Sequence, residues 1–210
     1  MIEYPSIDHP SKAPRQPCIA FEKLDGSNIR VKFTQKHGFD LFGSRTQLID
    51  ATHPHLGEVI AIFNRDFKPI LEPYLKREFP NQREIIVFGE FFGDRSFAGW
   101  HDPEDKTKRF VMFDVLLGHK QREFLKPREF VKRFSIMVPT PKVVYEGNLN
   151  DQFIQDVREG KIITGEGVVC KGLQTSGAHR GKMWMCKIKT NEYKKRLEEK
   201  FKGEWTKYWE

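Results

Sequence analysis

Two apolar runs constrain this chain more than anything else in it. Residues 84–93 read Glu-Ile-Ile-Val-Phe-Gly-Glu-Phe-Phe-Gly, and residues 110–117 read Phe-Val-Met-Phe-Asp-Val-Leu-Leu. Both are short, continuous and rich in aromatic and β-branched residues, and the first ends on glycine. They read as central strands covered on both faces, which need strand neighbours at their edges and other layers above and below. Each run also carries one acid in its interior, Glu90 and Asp114. A carboxylate inside an apolar strand needs a partner, so Glu90 is hard to explain by packing alone.

The remaining elements follow from the same periodicities. Residues up to Pro17 are polar and proline-rich and read as an irregular lead-in. Cys18–Lys23 is a strand, broken at Asp25-Gly26, and Ile29–Phe33 alternates as a second strand. Phe39–Phe42 forms another hairpin arm. Between Leu56 and Phe79 the apolar spacing becomes helical (Val59, Ile62, Phe63, Ile70, Leu71, Leu75), giving two short helices broken by Pro69 or Pro73. Residues 94–109 are polar and loop-like. A short helix is expected over Pro127–Phe134, a strand at Val143–Tyr145 and a helix over Leu149–Glu159. Further strands are expected at Glu166–Lys171 and Met183–Lys189, and an amphipathic helix from Asn191 to Glu210. Strands and helices mix without βαβ alternation, so the class is α+β.

Composition excludes some classes. Hydrophobic residues make up 38% and charged residues 31%, which is enough apolar material for a core and argues against wholesale disorder. The net charge of +7 suits a polyanionic partner but does not identify one. No apolar run approaches the ~18 residues of a membrane span, and the N-terminus lacks a signal pattern. Cys18, Cys170 and Cys186 stand far apart in sequence, with no CxxC pair or zinc spacing. They read as small buried hydrophobes in a reducing, cytoplasmic compartment. The seven histidines show no ligand spacing, and His53 and His55 flank Pro54 in a loop.

The chemistry is carried by an ordered set of short patterns. Lys23-Leu24-Asp25-Gly26 alone is weak, because Asp-Gly is a common hairpin dipeptide. It is followed by Ser44-Arg45, Phe88–Gly93 around Glu90, Met112-Phe113-Asp114-Val115, Glu166–Lys171, and Lys187-Ile188-Lys189. The last places two lysines on one strand face, since i and i+2 point the same way. The order is far more specific than any single member.

This set resembles the covalent nucleotidyltransferase superfamily of DNA ligases, RNA ligases and mRNA capping enzymes, over about Phe21 to Lys189. Lys23–Asn28, KLDGSN, is similar to the second phage RNA-ligase family, whose members seal nicks in double-stranded RNA. DNA ligases and capping enzymes usually carry arginine where Asn28 stands, whereas Asp25 matches the DNA-ligase form. The resemblance implies an adenylation-domain fold of antiparallel sheets flanked by helices, ATP-grasp-like, with a nucleotide pocket between the sheets. It implies that Lys23 attacks the α-phosphate of ATP and carries AMP. The AMP would pass to a 5′-phosphate end, which a 3′-hydroxyl then seals.

A lysine must be neutral to attack, and neighbouring cations such as Lys187 and Lys189 lower its proton affinity while neutralising phosphate charge. Glu90 and Glu166 suit Mg²⁺ or Mn²⁺, held directly or through water. The resemblance further implies a ribose contact for Glu90, adenine stacking for Phe113, an adenine-edge contact for Glu22, and ribose or α-phosphate contacts for Asn28 and Arg45.

Relatives usually continue into an OB-fold or a helical domain after the pattern matched by Lys187-Ile188-Lys189, whereas about twenty residues follow Lys189 here. The expectation is a single adenylation domain over 1–210 with a helical tail over 191–210 and no OB-fold, a small monomeric ligase of phage type acting in nucleic acid repair. Nucleic acid would then be held by basic residues of the core. The candidates are Arg95, Lys106, Lys108, Arg109, Lys171, Arg180, Lys182, Lys194, Lys195, Arg196, Lys200 and Lys202. Their contacts would go mainly to phosphates and be salt-dependent. The opposing reading of the tail is a helix packed by Tyr193, Leu197 and Phe201. RNA ends or nicks are the leading substrate. A minimal DNA ligase, a GTP-using capping enzyme and a non-catalytic end-binding module stay open.

Overall fold

A computed structural model describes residues 1–93, 107–118, 122–176 and 180–204. The chain divides into two compact units. The first comprises Met1–Pro5, Gly26–Leu125 and Glu129–Thr140, and the second Ser6–Asp25, Lys126–Arg128 and Pro141–Glu210.

The first unit is built on six antiparallel strands: β2 (Ser27–Thr34), β3 (Gly38–Gly43), β4 (Leu48–Ile49), β5 (Glu84–Phe92), β6 (Arg109–Gly118) and β7 (Arg122–Phe124). Their order is β4-β3-β2-β5-β6-β7. The two apolar runs are β5 and β6, paired at the centre as expected. Their burial comes from helices α1 (Glu58–Asp66) and α2 (Lys68–Glu78). Phe63 of α1 meets Phe39, Phe42 and Phe110 edge-on at 4.9–5.5 Å between ring centroids. Each such fully buried aromatic contributes about 2–3 kcal/mol of transfer free energy. The helices part at Phe67; Pro69 sits in the first turn of α2, where its missing N–H costs nothing, and Pro73 is carried inside the helix. Helix α3 (Pro127–Phe134) buries Phe130 and Phe134.

The second unit is a four-stranded antiparallel sheet in the order β10-β9-β1-β8, from β1 (Pro17–Lys23), β8 (Val143–Asn148), β9 (Gly167–Leu173) and β10 (Met183–Lys189). Helix α4 (Asp151–Arg158) packs Phe153, Ile154 and Val157 with Cys18, Ala20, Val168, Cys170, Cys186 and Ile188 in one core. The three cysteines, distant in sequence, are therefore neighbours on adjacent strands. All are free and buried, and Cys170 hydrogen-bonds with both others, which together with burial pushes its thiol up. Helix α5 (Asn191–Phe201) follows β10, and a 3-10 turn covers Lys202–Glu204. The rest of the expected tail helix, 205–210, lies outside the described residues.

One local expectation is overturned. Asp25-Gly26 is not a hairpin turn: β1 pairs with β8 and β9, while β2 pairs with β3 and β5. Gly26 is needed for a different reason. A Cβ there would come within 2.5 Å of the Phe91 carbonyl oxygen, so only glycine lets the start of β2 run this close to β5.

Candidate active site

In the second unit, strand register assembles the lysine cluster. Lys23 of β1 and Lys189 of β10 are both register partners of Gly167, one on each side of β9. Register partners share a face, so the two lysines flank a residue without a side chain. Gly167 has φ +150°, and a Cβ would lie 2.0 Å from the Ile188 carbonyl oxygen. Glu166, immediately before it, is 4% exposed at its side chain and receives both ammonium groups, Lys23 at 2.5 Å on Oε2 and Lys189 at 3.3 Å on Oε1. One buried carboxylate thus holds two cations, and Asp25 adds a second negative charge that acts on Lys189. Lys187 lies two residues before Lys189 on the same face, opposite Val169.

Helix α5 closes this cluster from below. Thr190 is buried, caps the helix by accepting from the Tyr193 N–H (3.1 Å), and donates its own N–H to the Glu166 carbonyl (3.0 Å). Tyr193 is 3% exposed; its ring lies 5.4 Å from Lys189 Nζ and its hydroxyl hydrogen-bonds Asp25. Burial first, then the Glu166 and Asp25 carboxylates, pushes the Tyr193 phenol up and keeps it a donor. Burial likewise pulls the Lys189 ammonium below its ordinary value, as does the Lys23 charge, while Glu166 and Asp25 oppose the shift.

The first unit contributes a different kind of surface. Asn28 of β2 and Glu90 of β5 are register partners, so they share a face. Asn28 Oδ1 is buried without a hydrogen-bond partner among the described residues. Phe113 is the extra residue of a β-bulge: the pairing steps from Phe88↔Asp114 to Gly89↔Met112 and skips it. A bulge of this kind re-aims a side chain. Tyr4 meets the Phe113 ring edge-on at 5.1 Å and donates its hydroxyl to the buried Asp114. Burial and the Asp114 charge push the Tyr4 phenol well up. Arg45 is exposed between β3 and β4.

Comparison with known proteins agrees with this architecture. The family model described as RNA ligase matches residues 16–188, most of the chain. The chain belongs to the RNA ligase family. Among solved structures it is similar to Naegleria gruberi RNA ligase with PPi (TM-score 0.64, 21% identity, covering 88% of this chain and 52% of that one). It is also similar to variants of that ligase with ATP and Mn (TM-score 0.64, 19% identity, 93% and 58%) and with AMP and Mn (TM-score 0.63, 19% identity, 91% and 57%). At these identities the likeness establishes the α+β fold of antiparallel sheets flanked by helices. The chain spans little more than half the length of those relatives. No curated protein matches it.

Within the RNA-ligase fold, the expected residues fall into two groups. Lys23, Glu166 and Lys189 converge, with Lys187 beside them; Asn28 and Glu90 share a face of the other unit. Glu22 lies on β1 with its N–H donated to the Lys142 carbonyl (2.8 Å), and pleating puts it on the face opposite Lys23. Of the expected basic surface, Arg95 and Lys106 lie outside the described residues. Lys171 is a correction: it is 3% exposed with Nζ 5.0 Å from the Phe21 ring centroid, and offers no surface charge. Lys108 is paired to Glu58.

Two residues were missed by sequence reasoning. Tyr193 reads as a packing residue in the tail, yet a buried tyrosine needs a partner for its hydroxyl, and that requirement was the available signal. Tyr4 sits in a lead-in that looked featureless, and nothing in the sequence marks it.

Proposed function

We propose that this chain is an ATP-dependent RNA ligase whose residues 1–210 form an adenylation domain, acting as a monomer in a reducing cytoplasm. The observation that carries the reading is the convergence of Lys23 and Lys189 on the two oxygens of buried Glu166. A lysine fixed in place by a buried carboxylate, with a second cation beside it to meet phosphate charge, is positioned to act as a nucleophile on a phosphate. Lys23 Nζ takes AMP from ATP, the AMP passes to a 5′-phosphate end, and a 3′-hydroxyl displaces it. Lys187 and Lys189 neutralise charge on the phosphates as it grows. Asn28 and Arg45 touch the ribose or α-phosphate, Glu90 a ribose hydroxyl, Glu22 the adenine edge, and Phe113 stacks on adenine. The buried, partnerless Asn28 Oδ1 supports a hydroxyl donor from the ligand.

Mg²⁺ or Mn²⁺ is proposed at Glu90 and Glu166. Among the described residues no three His, Cys, Asp or Glu side chains gather as a metal site, and Glu166 is already held by two lysines. These residues fit an ion that keeps most of its waters, as Mg²⁺ does, and takes a carboxylate oxygen or a water bridge. When bound, it supplies further neutralisation of phosphate charge. Nucleic acid is held by the exposed Arg109, Arg180, Lys182, Lys195, Arg196, Lys200 and Lys202, giving salt-dependent binding.

The test has two parts. Labelled ATP with Mg²⁺ gives an acid-stable protein–AMP adduct that is lost in Lys23→Ala; absence of the adduct in the unaltered chain rejects the enzyme, and labelling by GTP instead redirects it to capping. Matched nicked duplexes of RNA, DNA and hybrids then read the substrate. Sealing confined to all-DNA nicks would make the chain a DNA ligase, the reading that Asp25 leaves open.

A further inference from the structure

We propose that Tyr193 is a positioning residue for the adenylylation of Lys23: its hydroxyl occupies Asp25 while its ring backs Lys189, so that Glu166 keeps both lysines. This role presupposes that Lys23 takes AMP from ATP. It gives the first turn of α5, which lies beyond the sequence patterns that carry the family resemblance, a part in the reaction.

The turn is tied to the lysine cluster through its backbone. The Thr190 N–H donates to the Glu166 carbonyl (3.0 Å), and the Thr190 hydroxyl accepts from the Tyr193 N–H (3.1 Å). The Lys194 N–H donates to the Thr190 carbonyl (3.1 Å), which starts the helix from the same residue. Thr190 and Tyr193 are each 3% exposed. A helix capped in this way enters at a fixed angle, and Tyr193 projects from it beside Lys189.

Packing accounts for the ring of Tyr193 but not for its hydroxyl. Leu197, one turn along α5, is fully buried, and any aromatic ring at 193 would extend the same apolar face. A phenol in that place must find a partner for its O–H or lose stability, and the partner is Asp25.

The chemistry of the cluster gives this pairing a use. Asp25 is half-buried two residues past Lys23, and its charge acts on Lys189. The cluster therefore contains a second carboxylate that competes with Glu166 for ammonium groups. A lysine drawn to Asp25 would leave the place that the register of β1, β9 and β10 gives it. A neutral O–H answers part of the carboxylate's demand without using up a cation. Tyrosine carries that donor at the tip of an apolar ring, and the ring centroid lies 5.4 Å from Lys189 Nζ, within reach of cation–π attraction. One buried side chain thus holds the competing carboxylate at its tip and the ammonium at its face.

The experiment uses the full chain with Tyr193→Phe, Tyr193→Leu, Asp25→Asn and the combination of Tyr193→Phe with Asp25→Asn. Leu197→Ala serves as a packing control on the same helix, and thermal melting checks folding. Lysyl-AMP formation is followed in a single turnover, as its maximal rate and the ATP concentration that gives half of it. Tyr193→Phe keeps the ring and the fold, lowers the maximal rate about 10-fold and leaves the half-saturating ATP within about twofold, because the lost hydrogen bond acts on the lysines rather than on bound nucleotide. Tyr193→Leu, which loses the ring as well, falls about fivefold further. In the Asp25→Asn background, Tyr193→Phe costs less than about twofold, since the carboxylate it restrains is gone. Leu197→Ala lowers the melting temperature and leaves the maximal rate within about twofold. A Tyr193→Phe chain as fast as the unaltered one would overturn the proposal and leave Tyr193 as packing. So would an undiminished loss in the Asp25→Asn background, or a loss of rate in Leu197→Ala as large as that in Tyr193→Phe. If the unaltered chain forms no lysyl-AMP, the ligase reading falls and this role with it; if lysyl-AMP forms equally well in Tyr193→Phe, only this role falls.

Discussion

The two units of this protein solve different problems with the same antiparallel sheet. In the second, charge is gathered and already compensated: Glu166 holds Lys23 and Lys189, and Tyr193 stands between Lys189 and Asp25. In the first, the expected nucleotide contacts carry few ion pairs and one open requirement, the partnerless Asn28 Oδ1. Under the proposed function the contrast follows from what each would recognise. Phosphate chemistry needs cations held at fixed positions in a partly dry environment, where charge is effective and expensive to leave unmatched. A base and ribose need an apolar face and a few oriented polar atoms. On that proposal the lysine cluster is the more brittle half, and the surface around Asn28 and Glu90 the more tolerant one.

The largest effect that can break this comparison is Glu166→Ala. It leaves two partly buried ammoniums without their counter-charge, so we expect a stability loss of about 3 kcal/mol and no measurable lysyl-AMP. A thermal melt and an adduct assay read both. An Asn28→Ala variant with losses as large would erase the distinction between the halves.

Gly167→Ala comes next. Its Cβ meets the Ile188 carbonyl and its φ of +150° suits only glycine, which costs on the order of 1–3 kcal/mol and pushes the flanking lysines apart. Lysyl-AMP formation should fall more steeply than stability; a fall in stability alone would show that the spacing of the lysines is unimportant.

Asp25→Asn tests the electrostatics. Burial depresses the Lys189 pKa and the Asp25 charge raises it. Lys189 therefore loses its useful charge as pH rises through a value below the ordinary lysine 10.5, and removing Asp25 moves that loss to lower pH. The alkaline limb of the single-turnover pH profile should shift downward in Asp25→Asn; an unmoved limb separates Lys189 from the step. The linkage to stability has the same sign. The unfolded chain holds the Lys189 proton where the folded one has released it, so stability rises with pH between the depressed and ordinary values.

The smallest effect is Asn28→Ala, which removes a partnerless buried acceptor. We expect folding stability to change by no more than about 0.5 kcal/mol, with the KM for ATP raised about tenfold and the maximal rate little altered. A collapse of the maximal rate would move Asn28 from nucleoside binding into the chemistry.

Much of this could be read before any coordinates. The strands at 84–92 and 109–118, the helices at 127–134 and 151–158, and the lysine-bearing strand at 183–189 are visible because burial imposes periods of two and 3.6 residues on local sequence. The patterns that carry Lys23, Glu166 and Lys189, which the fold brings together, were visible too, because their order is specific. Less legible were features that depend on pairing. Asp25-Gly26 looks like a hairpin turn because the dipeptide suits one, yet it links strands of different sheets, and its glycine answers to Phe91. Lys171 looks like surface charge but is buried against Phe21. The two-residue strand β4 carries too few residues to show a period.

By itself, then, the sequence determined the kinds of elements, the order of the charged patterns and the family to which they belong. Tertiary structure decided which groups meet. Lys23 and Glu166 stand 143 positions apart, and only the register of β1, β9 and β10 sets two lysines across Gly167 on one carboxylate. Strand alternation is a property of neighbours along the chain, whereas register is decided by the packing of whole faces, where a slip of one residue would turn every side chain to the other side. The same register brings Tyr193 and its helix against Lys189, so a segment that reads as a charged tail carries part of the lysine cluster.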